Sequence, residues 1–181
     1  YTQRALNRQY AALAAAQGYS VVSTNPFDRL TDIDANLNAG NIMDKYLLDE
    51  IVAHHDADVV FHLAALLSTR GERDPELAHQ VNVEGTLHVL RMAQNQAVRL
   101  GRPVRFLFPS SIAVYGVPTL EQKHATGKIR EEQWNLPITM YGCNKLYCEH
   151  LGRYFSTHYR KHQAHGSPAR VDFRAIRFPG L

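Results

Sequence analysis

The run Asp58-Val59-Val60-Phe61-His62-Leu63-Ala64-Ala65 limits the fold more than any other stretch of the chain. It is apolar without alternation, as a strand is when both of its faces are buried, and that is the condition of a strand inside a parallel sheet. Parallel neighbours require a crossover of a dozen or more residues, normally a helix. The rest of the sequence supplies such helices. Residues 4–17 place Leu6, Tyr10, Leu13 and Ala14 at helical spacing with Gly18 as the stop, and Tyr19-Ser20-Val21-Val22-Ser23-Thr24 follows as a strand. Residues 25–41 read mostly as loop. Asp44 is the expected N-cap of a second helix carrying Leu47, Leu48, Ile51 and Val52. Pro75 opens a third, with Leu77, Val81, Gly85, Val89 and Met92 on one face, ahead of a strand over 104–108. A long polar connection over 116–139 leads to a fourth helix, 141–161, and 171–177 is the last strand. This alternation predicts an α/β fold, a Rossmann-like doubly wound parallel sheet.

Composition closes off other classes. The 181 residues suffice for one domain with a sizeable core, taken as 1–181, and 45% hydrophobic with 20% charged residues is ordinary for a packed globular chain. The formal charge of +3 is spread along the chain rather than gathered in a stripe, so no nucleic-acid partner is expected. No apolar run approaches the roughly 18–20 residues that span a bilayer, and Tyr1 to Tyr10 do not resemble a signal peptide. Cys143 and Cys148, five apart within one helix, are poorly placed for a bridge; reduced thiols fit a cytoplasmic protein. Because the chain begins at Tyr1 rather than Met, a targeting peptide ahead of it would not be visible.

In open α/β sheets ligands lie beyond the carboxyl ends of the strands. Three segments fall there. In His62-Leu63-Ala64-Ala65 small side chains would let the backbone approach a cofactor, or serve tight helix–strand packing. In Pro109-Ser110-Ser111-Ile112-Ala113-Val114-Tyr115-Gly116 two hydroxyls stand at a strand end, as site groups or as caps. In Tyr141-Gly142-Cys143-Asn144-Lys145 a phenol and an ammonium four residues apart share one helix face. A lysine cation beside tyrosine favours phenolate and lowers its pKa, which makes the phenol a usable acid–base group. Ser111, if it meets Tyr141, would hold the oxygen that gains or loses the proton.

The order of His62–Ala65, Asn82-Val83-Glu84-Gly85-Thr86, Ser110–Gly116, Tyr141–Lys145 and Arg177-Phe178-Pro179-Gly180 resembles the extended short-chain dehydrogenase/reductase family, also called the NAD-dependent epimerase/dehydratase family. Leu66–Glu72, Asp74–Ala78 and the Arg-Phe-Pro-Gly-Leu ending resemble its short-chain L-threonine 3-dehydrogenase branch. The resemblance implies an NAD-dependent oxidoreductase acting at a secondary alcohol or ketone carbon of a small-molecule substrate. Tyr141 would be the general acid/base, Lys145 would lower its pKa and hold the nicotinamide ribose, and Ser111 would bind the reacting oxygen. Asn25, Asn41, Ile42, Leu63, Ala64, Ala65, Asn82, Tyr141, Lys145 and Pro179 would line the cofactor, with Gly180 beside Pro179. Ser68, Gly71 and Glu72 would belong to a substrate-side loop, and the helix bearing Tyr141 and Lys145 would form a homodimer contact. Its apolar stripe of Tyr147, Leu151, Tyr154 and Phe155 fits either that contact or the core.

The chain also departs from the family pattern. Its glycine-rich phosphate turn is not found; the usual spacing puts the three glycine positions at Tyr1, Arg4 and Asn7, so the turn and first strand are expected ahead of Tyr1, the alternative being a chain that has abandoned the phosphate site. Asn25, with Arg29 nearby, stands where NAD-specific members carry an acid on the adenosine ribose, which leaves NADP open beside NAD. Leu181 falls where relatives enter their substrate-binding portion. Of the ten histidines, His158, His162 and His165 have helical spacing but no carboxylate or thiol in register, so no metal is expected. His54-His55 at a helix end reads as a dipole interaction, and Trp134 either covers the site or packs its loop. The rival activities are a nucleotide-sugar 4-epimerase/dehydratase and a non-catalytic dinucleotide-binding protein.

Overall fold

The computed structural model describes residues 41–159 and 169–179. The helix expected over 4–17, the strand over 19–24, Tyr1, Arg4, Asn7, Asn25, His162, His165 and Gly180 lie outside them.

The described chain runs α1 (Lys45–His54), β1 (Val59–Phe61), α2 (Ser68–Arg73), α3 (Pro75–His79), a π-helical turn (Gln80–Glu84), α4 (Gly85–Leu100), β2 (Val104–Ser111), a 3-10 turn (Ile112–Val114), α5 (Leu120–Thr126), α6 (Met140–Thr157) and β3 (Val171–Phe178). The strands form one parallel sheet in the order β1-β2-β3, with Val60 opposite Phe106 and Phe106 opposite Phe173. This is the Rossmann-like parallel arrangement that the sequence predicts. Val104, Phe106, Phe108 and Ser110 of β2 are buried, whereas Leu107, Pro109 and Ser111 on its other face are only half-buried. Among the described residues the core therefore gathers on one face, where Leu90, Ala93, Ala97, Cys148 and Phe155 from α4 and α6 meet Phe106 and Phe108. Gly152 lets α6 lie close to β3: an added Cβ there would stand 2.1 Å from the Phe173 ring.

Local chemistry sets the element boundaries. The Asp44 carboxylate accepts from the amides of Tyr46 and Leu47 and starts α1, as expected. Asp74 caps α3 at Leu77, with Pro75 in its first turn. The single helix expected from Pro75 is in fact interrupted by the π turn. That turn leaves the Asn82 carbonyl accepting from the Thr86 hydroxyl and the Cys148 thiol, and π turns inside helices recur at functional sites. Apolar periodicity hides it, because one extra residue shifts the pattern without erasing it.

Strand β1 ends at Phe61 rather than continuing to residue 65; the last bond to β2 on that side is from His62 N to the Leu107 carbonyl. Strand β2 continues past 108 to Ser111 and includes Pro109, a residue normally excluded from a central strand. Arg105 and Leu107 bond toward β1, so by alternation Pro109 directs its missing N–H to the same side, where β1 has already ended. No ladder bond is lost. The connection over 116–139 contains α5, and α6 ends at Thr157 rather than 161 because His158 leaves helical geometry.

Candidate active site

Among the described residues, the early end of β1 beside the longer β2 leaves a crevice at the carboxyl edge of the sheet. The first turns of α6 stand over it. Thr139 caps α6 by accepting from Gly142 N at 3.0 Å, and the Glu72 carboxylate accepts from Met140 N at 2.7 Å. Gly142 touches the 3-10 turn so closely that a Cβ would lie 2.2 Å from the Ala113 carbonyl oxygen. The residue after Tyr141 is thereby pressed against the turn that Ser111 begins.

Lys145 is buried. Its ammonium donates to the Pro109 carbonyl at 2.7 Å, lies 4.5 Å over the Phe108 ring, and is 5.5 Å from the centre of the Tyr141 ring. Pro109 O is the carbonyl on the side β1 has vacated, so the proline that opens the crevice also anchors the lysine. Burial brings the Lys145 pKa down to about 8. The Tyr141 phenol is held above its ordinary value by burial, which reverses the direction that sequence spacing alone implies. Desolvation sets the direction at the phenol.

The two hydroxyls at the end of β2 separate by strand alternation. Ser110 is buried and donates to the Glu149 carboxylate of α6. Ser111 lies on the half-buried face, and its oxygen accepts from Ala113 N at 3.1 Å, which leaves its own O–H free to donate.

The expected cofactor residues fall into distinct roles. Leu63, Ala64 and Ala65 are half-buried just beyond β1. Asn82 is buried, and its amide brackets Leu66, accepting from Leu66 N at 2.7 Å and donating to Leu66 O at 3.0 Å; it shapes the wall behind those residues. Ile42 is buried against Gly85, whereas Asn41 is exposed and accepts from Met43 N. Pro179 is exposed beyond β3. Of the substrate-side residues, Ser68, Gly71 and Glu72 sit on helix α2 rather than a loop: Ser68 is exposed, Gly71 is buried against Ala78, and Glu72 is engaged at the start of α6.

Several groups near the site take roles that the sequence reading did not assign to them, and Glu149 escaped it altogether. His62 is buried, pairs with the Thr86 hydroxyl at 2.8 Å and stacks on Phe108; burial and then the Lys145 charge bring its pKa to about 3, so the ring is neutral. Buried Glu149 and half-buried Arg177 form an ion pair. Burial opposes the Glu149 charge, but hydrogen bonds from Arg177 and Ser110 hold its carboxyl below the usual range. Glu149 falls four residues after Lys145, a spacing that would have placed it on the same face. Trp134 adopts φ 56, and its carbonyl accepts from Gly116 N, tying the loop to the 3-10 turn. Both cysteines are free, and among the described residues no cluster of three His, Cys, Asp or Glu could hold a metal ion. Nor is any described helix long and apolar enough to cross a membrane.

A family model described as the NAD dependent epimerase/dehydratase family matches residues 2–167. An uncharacterised epimerase/dehydratase of Staphylococcus aureus strain MRSA252 is 33% identical over 162 residues, covering 90% of this chain and 41% of the relative. An L-threonine dehydrogenase of Cupriavidus necator superposes with a TM-score of 0.74 at 28% identity, covering 99% of this chain and 53% of that one. UDP-glucose 4-epimerase of Brucella ovis, solved in complex with NAD, gives a TM-score of 0.74 at 26% identity, covering 94% and 47%. The chain thus spans about two fifths of the curated relative's length and about half of each solved one.

Proposed function

This chain belongs to the NAD dependent epimerase/dehydratase family, and from that premise we propose that it contributes the cofactor-side half of an NAD-dependent oxidoreductase. Tyr141, Lys145 and Ser111 are its proton-transfer residues. The observation that carries this reading is the convergence of two separate stretches, 109–113 and 141–145, at one crevice: the Lys145 ammonium beside the Tyr141 ring and on the Pro109 carbonyl, with Gly142 pressed on the turn that follows Ser111.

The crevice suits the nicotinamide end of the cofactor. Half-buried Leu63, Ala64 and Ala65 give a wall of mostly small side chains, Asn82 fixes the backbone behind it, and two of the three ammonium donors of Lys145 remain for ribose hydroxyls. NAD, when bound, supplies the hydride acceptor at a nicotinamide carbon. The residues of the chain do the rest. Ser111 orients the substrate oxygen through its free O–H, Tyr141 takes or returns that oxygen's proton, and the charge of Lys145 steadies the phenolate. Pro179, exposed just beyond β3, is proposed to lie near the nicotinamide. Asn41 and Ile42 serve the adenine side, Ile42 from the core, and Asn25 takes the ribose there. Ser68, Gly71 and Glu72 border the substrate, Glu72 by fixing the start of α6. Burial alone would keep Tyr141 neutral at physiological pH, so its activation depends on Lys145 staying charged, which holds below a pH of about 8.

The substrate is proposed to be L-threonine or a similar small secondary alcohol. Exposed Tyr147 and Tyr154 on α6 are the proposed homodimer contact, and two free thiols suit a cytoplasmic protein. A 4-epimerase is the second reading, favoured by the Brucella ovis neighbour. The complete protein given L-threonine and NAD separates the two: steady NADH release supports the dehydrogenase, and epimerisation of UDP-glucose without net NADH supports the epimerase. Under either reading Tyr141→Phe lowers kcat by about 10²–10⁴-fold, the usual contribution of general acid–base catalysis. Undiminished turnover by that variant would remove the proposal.

A further inference from the structure

We propose that Glu149 and Arg177 are positioning residues, a largely buried clasp that fixes the Tyr141 and Lys145 helix against the strand end leading to Pro179 and against the loop before Trp134. The inference rests on the proton-transfer reading above and names what holds that site in register. Glu149 is one helical turn beyond Lys145. The two side chains reach adjacent residues of β2: Lys145 to the Pro109 carbonyl, Glu149 to the Ser110 hydroxyl. Arg177 lies opposite Ser110 in the parallel ladder and closes the arrangement with two bonds to the Glu149 carboxylate, at 2.9 and 2.7 Å. Its remaining terminal nitrogen donates to the Glu131 carbonyl at 2.8 Å, and the guanidinium lies 4.7 Å from the centre of the Tyr115 ring. One planar cation thereby joins α6, the end of β3, the residue after the 3-10 turn and the loop before Trp134.

Stability does not account for such an arrangement. Replacing a largely buried ion pair by well-packed hydrocarbon of the same volume is often neutral or stabilising. What apolar contacts lack is direction. The fork of Arg177 accepts one orientation of the Glu149 carboxylate, and strand alternation fixes Ser110 beneath it. Misplacement of a reacting group by about 1 Å can cost about 10²-fold in rate, so a directional clasp one turn from Lys145 acts where placement matters most.

The test uses the complete protein with both partners replaced, Glu149→Leu with Arg177→Leu, beside Arg177→Lys and Tyr141→Phe. Replacing both charges avoids stranding one of them. Turnover is followed as NADH formed from L-threonine, or as C4 epimerisation of UDP-glucose. The clasp predicts that the double variant melts cooperatively, binds NADH within about threefold of wild type, and loses at least about tenfold in kcat with little change in KM. Arg177→Lys keeps the charge but not the fork, and shows the same split. Should the double variant fail to fold, Arg177→Lys decides. Wild-type kcat in Arg177→Lys, or in a folded double variant, while Tyr141→Phe is inactive, overturns the clasp and leaves the proton-transfer reading standing. An active Tyr141→Phe, or a wild type without either turnover, overturns that reading and the clasp with it.

Discussion

The ammonium of Lys145 is held where a charge is costly to keep. Burial depresses its pKa to about 8 from 10.5. Below pH 8 both folded and unfolded chains carry the proton, and the folded chain bears the full desolvation cost. Between 8 and 10.5 the unfolded chain still binds a proton that the folded chain has lost, so this residue makes stability rise with pH across that window. Lys145→Met is therefore expected to stabilise the protein at pH 7 by about 2–3 kcal/mol while abolishing turnover, and to flatten the gain between pH 8 and 10. Denaturant unfolding at three pH values measures it; a variant less stable than wild type at pH 7 would show that the Pro109 and Phe108 contacts outweigh the burial. That Tyr141 and Lys145 share a helix face was legible from their spacing, because helix geometry fixes which face a residue occupies; their pairing as a site drew on the neighbouring segments. The raised phenol pKa, the neutral His62 ring and the division of labour between Ser110 and Ser111 were not, because each depends on which side of β2 faces the helices.

Elements meet here through glycine and through caps. Gly142 has no room for a side chain against the Ala113 carbonyl. Gly142→Ala is expected to shift the start of α6, cost about 1–3 kcal/mol as overpacking does, and lower kcat at least tenfold, because the displaced residue adjoins Tyr141. Normal stability with normal kcat would mean that the turn gives way freely. Glu72→Ala removes the acceptor for Met140 N and is expected to cost about 1 kcal/mol, as the loss of a helix cap does, with a smaller loss of rate. An unchanged melting temperature would show that Thr139 suffices. At this scale the existence and order of the described strands and main helices were readable, and their ends were not. Helix α5 had a readable signal in Thr119 three residues before Gln122, a capping-box spacing that the polar composition of 116–139 obscured. Pro109 argued against continuing β2, and only the early end of β1 explains its place there. Periodicity could not reveal the π turn, and it is that turn which lets Asn82 serve Leu66, Thr86 and Cys148 together.

The proposed proton-transfer residues lie at the carboxyl edge of a parallel sheet, where one strand stops early and its neighbour continues. Family and fold were both legible because five short segments occur in a fixed order along the chain; the substrate was not, since the chain spans about half of each solved relative. The proposed oxidoreductase depends on Tyr141 and Ser111 addressing one oxygen while Lys145 serves the ribose. A crystal structure of the complete protein with NAD and L-threonine measures this directly. The account predicts the Tyr141 Oη and Ser111 Oγ both within about 2.6–3.2 Å of the same substrate oxygen, with the Lys145 ammonium on the nicotinamide ribose. A Tyr141 hydroxyl directed away from that oxygen, with another side chain in its place, would contradict it.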